Sequence, residues 1–248
     1  MFFLGLLLSI LIGAALGAIG SGGSILALPV LVYALDVPPA TAVPMSLVLV
    51  GVTSLGASVM RWRQGDLHWK ALILLSSTGA VGAFLGSAAT HEVSGNALMI
   101  VFASILLIVG TAMFRARRAS EEGRQCSAVR CLSAGAVIGL LTGFLGVGGG
   151  FLLVPALVIF AGLEMRRALG TSVAIISVNA VAGTLGQLRF LNLDWGLTAW
   201  LVLATLAGMG FGVYVANRLP ELALRRMLAL VMVIVGMGVL AAQVGGFR

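Results

Sequence analysis

Two short runs of this chain could hold a small anion without any charged side chain. They are Gly20-Ser21-Gly22-Gly23-Ser24 and Gly146-Val147-Gly148-Gly149-Gly150, each set between apolar segments and each followed by a proline, Pro29 or Pro155. Glycine this dense frees the backbone to leave helical geometry. A helix that restarts after such a break presents unpaired N–H groups and the positive end of its dipole, which together suit a small anion. Hydroxyls and one amide in or after the breaks could complete the site. The expected substrate-binding residues are therefore Ser21, Gly22, Gly23, Ser24, Ser46, Gly148, Gly149, Gly150, Thr171, Ser172 and Asn179. Asn179 is a large amide in an apolar segment, where an unpaired polar group is expensive, so it has either a partner or a ligand. Helix–helix hydrogen bonding is the plainer alternative for it. The scattered Gly82, Gly86, Gly208 and Gly212 are expected only to let helices approach closely.

The elements that must position these residues are apolar and come in two sets. The first set lies near 2–19, 24–35, 41–60, 70–89 and 96–114, and the second near 131–146, 150–162, 168–187, 195–216 and 222–243. The chain also matches itself at a constant offset of 126 residues. Gly13/Gly139, Gly17/Gly143, Gly23/Gly149, Pro29/Pro155, Ser46/Ser172, Arg63/Arg189 and Trp69/Trp195 all pair in that register without a gap. Self-similarity at a fixed offset marks a repeat architecture. It divides the chain into a first membrane repeat over 1–114, a polar, cytoplasmic linker over 115–130 and a second membrane repeat over 131–248. In each repeat the second segment is too short to span at about 20 residues per crossing. It is expected to form a re-entrant hairpin or half of a glycine-broken helix near the midplane.

Composition sets the class. Of 248 residues, 60% are hydrophobic and 9% are charged, against roughly 25% charged in soluble domains. The fold expected is an all-α polytopic membrane protein with 8–10 membrane segments. Met1-Phe2-Phe3 enters an apolar run with no basic residue before it, so this run is expected to be mature protein rather than a cleavable signal. The net charge of +7 reflects Arg and Lys in short loops and points to membrane orientation, not to nucleic acid. If the repeats are inverted, with the N-terminus outside, 13 of the 15 Lys and Arg fall on the cytoplasmic side; parallel repeats would place only ten there. Inverted repeats are a common transporter plan.

Other chemistries lack their residues. All eight acids, and His68 and His91, lie in loops or at segment ends, whereas cation pumps place carboxylates within their spans. Ser21 has no buried base to activate it, so an enzyme is not expected. No cofactor is expected either, since Cys126 and Cys131 lack the further ligands a zinc site needs; a disulfide between them is geometrically possible, but in a cytoplasmic loop they read as free thiols. Arg61, Arg63, Gln187 and Arg189 end the helices that follow the breaks. They could draw anions into a vestibule, but interfacial snorkelling is the plainer expectation.

At these residues the chain resembles the TauE/SafE family of sulfite and organosulfonate exporters. Gly143-Phe-Leu-Gly-Val-Gly-Gly-Gly-Phe-Leu-Leu-Val-Pro155 is similar to that family's glycine-rich signature, and Ala168-Leu-Gly-Thr-Ser172, Asn179 and Asp194-Trp195 to its next segment. The first copy departs in having Ser24 where the second has Gly150. The resemblance implies a secondary transporter of the bacterial inner membrane that exports sulfite, a sulfonate or another small anion, by alternating access between the repeats. Its expected partners are that anionic substrate, with possible proton coupling, and the lipid bilayer; oligomeric state is open. A passive anion channel and a non-transporting structural subunit are the alternatives.

Overall fold

Hydrocarbon offers the backbone no hydrogen-bond partners, so a chain this apolar must satisfy its N–H and C=O groups internally. It does so with helices in the computed structural model, which describes residues 2–20, 22–89, 94–115, 128–145, 150–159, 161–187 and 195–244. There is no strand among them. The helices are α1 (Phe2–Ile19), α2 (Gly22–Pro29), α3 (Pro39–Arg63), α4 (Trp69–Ala89), α5 (Gly95–Arg115), α6 (Ala128–Leu145), α7 (Gly150–Ile159), α8 (Met165–Gly186), α9 (Trp195–Ala216) and α10 (Glu221–Val244). Among the described residues, α3, α4, α5, α8, α9 and α10 are long and apolar enough to cross a bilayer. The 126-residue register also sets helix starts: 2 and 128, 39 and 165, 69 and 195, 95 and 221.

Proline explains the two short elements. Pro29 lies in α2 and Pro155 in α7, and each withholds a backbone donor. Both stretches finish in widened turns. Leu35 N–H donates to the Val30 carbonyl at 3.1 Å and Val37 N–H to Leu31 at 3.0 Å; Ala161 donates to Ala156 at 3.4 Å and Leu163 to Leu157 at 3.1 Å. The first widened turn is a π-helix over Val30–Ala34. In the first half the choice left open by the sequence resolves as a hairpin: Gly23 packs back on Ile12 and Leu16 of α1, and Leu35 reaches Gly5.

The scattered glycines close the bundle. Gly82 and Gly86 lie against the backbone of α6 at Ala136 and Leu140, and Gly208 and Gly212 lie against α1 at Ile10 and Ala14. From the facing helices, Gly139 and Gly143 meet Gly79 and Ala83, while Gly13 and Gly17 meet Thr205 and Met209. No Cβ fits at these positions, so small residues bring backbones together where lipid supplies no hydrophobic drive. Each half is thus completed by the other: α1 lies on α9, and α6 on α4.

The same contacts give helix directions. Contacts rise together along α1 and α9, α4 and α6, and α4 and α8, so these pairs are parallel. Gly51 meets Ala180 while Gly183 meets Leu47, so α3 and α8 cross antiparallel; Gly110 near Val233 and Gly236 near Leu107 make α5 and α10 antiparallel. The end of α3 and the starts of α4, α8 and α10 consequently share one end of the bundle. Every Lys and Arg among the described residues belongs to that end, which we call the basic end. Arg166 donates there to the carbonyls of Asn217 and Leu219, and Arg225 to that of Met113. Trp62 and Trp69 are exposed and meet edge to face at this end, and exposed Trp195 marks the other, as interfacial aromatics do. One expectation fails: Cys131 is disulfide-bonded, not a free thiol. The other cysteine, Cys126, lies outside the described residues.

Candidate functional site

Gly20 ends α1 in the left-handed region, with φ of 70°, a conformation glycine adopts without strain. The chain then restarts as α2 at Gly22. A Cβ on Gly20 would come within 3.1 Å of both the Leu169 carbonyl and Ser172 Oγ, so this break rests on the first turns of α8. The Ser172 hydroxyl donates to Leu169 O at 2.9 Å, and Ser46 does the same to Val43 O at 2.8 Å. Both hydroxyls have their proton committed. Next to Ser172, Thr171 Oγ1 accepts the backbone N–H of His68 at 3.0 Å. The loop between α3 and α4 is thereby tied to α8 beside the break.

Beneath the break lies a charged group that the sequence assigned to the interface. Arg61 does not snorkel; it is 2% exposed. Its Nη2 donates to the carbonyl of Gly17, in the last turn of α1, at 3.0 Å, and its Nη1 meets Asp66 Oδ2 at 3.3 Å. Snorkelling requires a free path to water, and here the end of α1 closes that path. A buried cation needs partners of this kind, because desolvation without them costs several kcal/mol.

The expected residues fall into separate groups. Thr171 and Ser172 sit with Gly20 at the basic end, where buried Gly23 and Ser24 open α2. Ser46 lies in the first turns of α3, fifteen residues before Arg61, or about 22 Å away at 1.5 Å per residue. It belongs to the opposite end. Gly150, buried, opens α7, whose Phe151 packs edge to face on Phe102 of α5 at 5.9 Å. Ser21, Gly148 and Gly149 lie outside the described residues.

Between the two ends stands Asn179. It is 1% exposed, and neither its Oδ1 nor its Nδ2 has a hydrogen-bond partner among the described residues. Its amide faces Gly79 of α4, which has no side chain to bond it. The equivalent position in the first half is Thr53, which is satisfied: it donates to Leu49 O at 2.7 Å and meets the Thr205 hydroxyl at 2.9 Å. A second orphan is a residue for which interfacial snorkelling was the plainer expectation. Gln187, at the end of α8, is fully buried with both amide atoms unpaired among the described residues. It lies 126 residues after Arg61, a signal present in the repeat register. The longest buried polar side chains of α3 and α8 thus run from one end of the bundle to the other: Arg61, Asn179 and, just past α8, Gln187.

Comparison with known proteins adds an independent line. The family described as sulfite exporter TauE/SafE matches residues 5–239. A protein of Xylella fastidiosa strain 9a5c named "Probable membrane transporter protein" is 32% identical over 214 residues, covering 84% of this chain and 82% of that one. YdhB of Bacillus subtilis, with the same description, is 25% identical over 238 residues, covering 94% and 97%. No solved structure matches the chain.

Proposed function

The chain belongs to the sulfite exporter TauE/SafE family, and from that premise we propose that it exports a small oxyanion, sulfite or an organosulfonate, by alternating access between two inverted repeats. Its membership and its spanning helices make it a multi-pass membrane transporter. The observation that carries the finer assignment is Asn179, a buried amide in the middle of a spanning helix with no partner among the described residues. Leaving such a group unpaired costs free energy, and a passing ligand relieves that cost. An amide donates as well as accepts, so it suits a hydrated or partly protonated oxyanion better than a bare cation.

The proposed route starts at Gly22, Gly23, Ser24, Thr171 and Ser172 at the basic end, passes Asn179 and leaves by Ser46 and Gly150. Ser21, Gly148 and Gly149 are proposed to bind the anion with them on the strength of the sequence alone. Supporting the inverted arrangement, α3 and its 126-residue counterpart α8 run in opposite directions. The gathering of Lys and Arg at one end supports a cytoplasmic basic end. Transport runs on a gradient, and a protonated anion could carry the coupled proton itself. We assign no cofactor and no nucleic-acid partner.

Purified protein in proteoliposomes tests this. Saturable sulfite or taurine flux, with counterflow, lost in Gly149→Leu despite normal insertion, is the expected result. Flux that never saturates identifies a channel, and no flux of any of these anions from correctly inserted protein removes the cargo assignment.

A further inference from the structure

Arg61 is held by two contacts, the Gly17 carbonyl at 3.0 Å and Asp66 at 3.3 Å. These use two of the five N–H donors of a guanidinium. The carboxylate contact is long for a charge-assisted pair, whose N···O separation is typically about 2.7–2.9 Å. Asp66 itself lies in the short α3–α4 loop and is 19% exposed, so water reaches the carboxylate but not the arginine. Gly20 and Ser172, on the proposed route, meet beside the same turn of α1. The position has a counterpart: Gln187 occupies it in the second half, fully buried and with no partner for either amide atom among the described residues.

We propose that Arg61 is an anion-binding side chain at the basic end of the route, with Asp66 as a resident counter-ion that an incoming oxyanion displaces, and that Gln187 receives the same anion at the opposite end. The inference rests on the transport function proposed above. A guanidinium matches an oxyanion in two-pronged geometry. The Gly17 contact keeps the arginine oriented while Asp66 leaves, so the charge is never left without a partner. The two ends differ in charge, cationic at Arg61 and neutral at Gln187. The half-saturating anion concentration is therefore lower from the basic end than from the other.

The test compares wild type, Asp66→Asn, Arg61→Lys and Arg61→Gln in proteoliposomes, with sulfite as the probe. Asp66→Asn lowers KM roughly tenfold, equivalent to about 1.4 kcal/mol, because no carboxylate has to be displaced. Arg61→Lys raises KM by losing the fork, and Arg61→Gln raises it further. An Asp66→Asn protein with unchanged or raised KM and normal insertion overturns the proposal. Sulfite-dependent thermal protection in detergent gives a second readout that needs no transport. A larger shift in Asp66→Asn than in wild type supports the site, and an equal, smaller or absent shift overturns it. A wild-type protein that is protected by sulfite yet moves none removes the transport function while leaving the anion site standing.

Discussion

Asn179→Leu exchanges a buried amide for an apolar side chain of similar size, at a place where neither amide atom has a partner among the described residues. An uncompensated buried amide costs about 1–3 kcal/mol by mutational measure. In membranes the figure is smaller, since polar groups of the unfolded chain also find partners and average interhelical hydrogen bonds are worth roughly 0.6 kcal/mol. The bulkier leucine offsets part of the gain, since overpacking costs about 1–3 kcal/mol, but Gly79 opposite it carries no side chain to clash. The balance expected is a stabilisation of about 1 kcal/mol. In a chain of this size that raises Tm by roughly 2–4 °C. Transport moves the other way, with KM for sulfite rising at least about tenfold, the loss of one hydrogen bond to a charged group. Thermal melting in detergent and proteoliposome flux read the two effects on one preparation. Destabilisation with loss of flux would mean that the amide braces the fold. Unchanged flux would remove Asn179 from the route.

Two further predictions concern architecture. Gly139→Leu places a side chain against the backbone of Gly79 and is expected to abolish folded protein, whereas Gly238→Leu, with nothing within 4 Å, leaves yield and melting unchanged; size-exclusion profiles and melting curves compare them. A cysteine placed at Arg63, in a background lacking Cys126 and Cys131, labels with a membrane-impermeant reagent only from the cytoplasmic side, and labelling in intact cells would reverse the orientation.

Much of this fold was written in local patterns. The apolar segments carry helix after helix, Pro29 and Pro155 mark the short returning elements, and Gly82, Gly86, Gly208 and Gly212 are spacers as expected. These follow from hydrocarbon length and backbone sterics, which act over a few residues. Arg61 shows what local pattern misses. Two residues from the end of α3, it has the sequence context of a snorkelling arginine, and only the docking of α1 across that end buries it. Ser46 and Ser172 were grouped because they correspond at 126 residues. Corresponding positions on antiparallel helices lie at opposite ends, so the same correspondence separates them. Asn179 was legible as a polar residue in an apolar run. That it has no partner among the described residues was not, since this depends on Gly79 of α4 offering it nothing.

The lodging of α1 on α9, and of α6 on α4, has a consequence for how the protein is made. Gly13 meets Thr205, which the ribosome adds some 190 residues later, or roughly 10–40 s at about 5–20 residues per second. During synthesis the grooved faces of the first half stay in lipid without their mates, as surface available to chaperones and quality-control proteases. A chain arrested before α9 leaves α1 with no groove to enter. Two half-chains made together carry complementary faces, and their co-expression should rebuild what neither half holds alone.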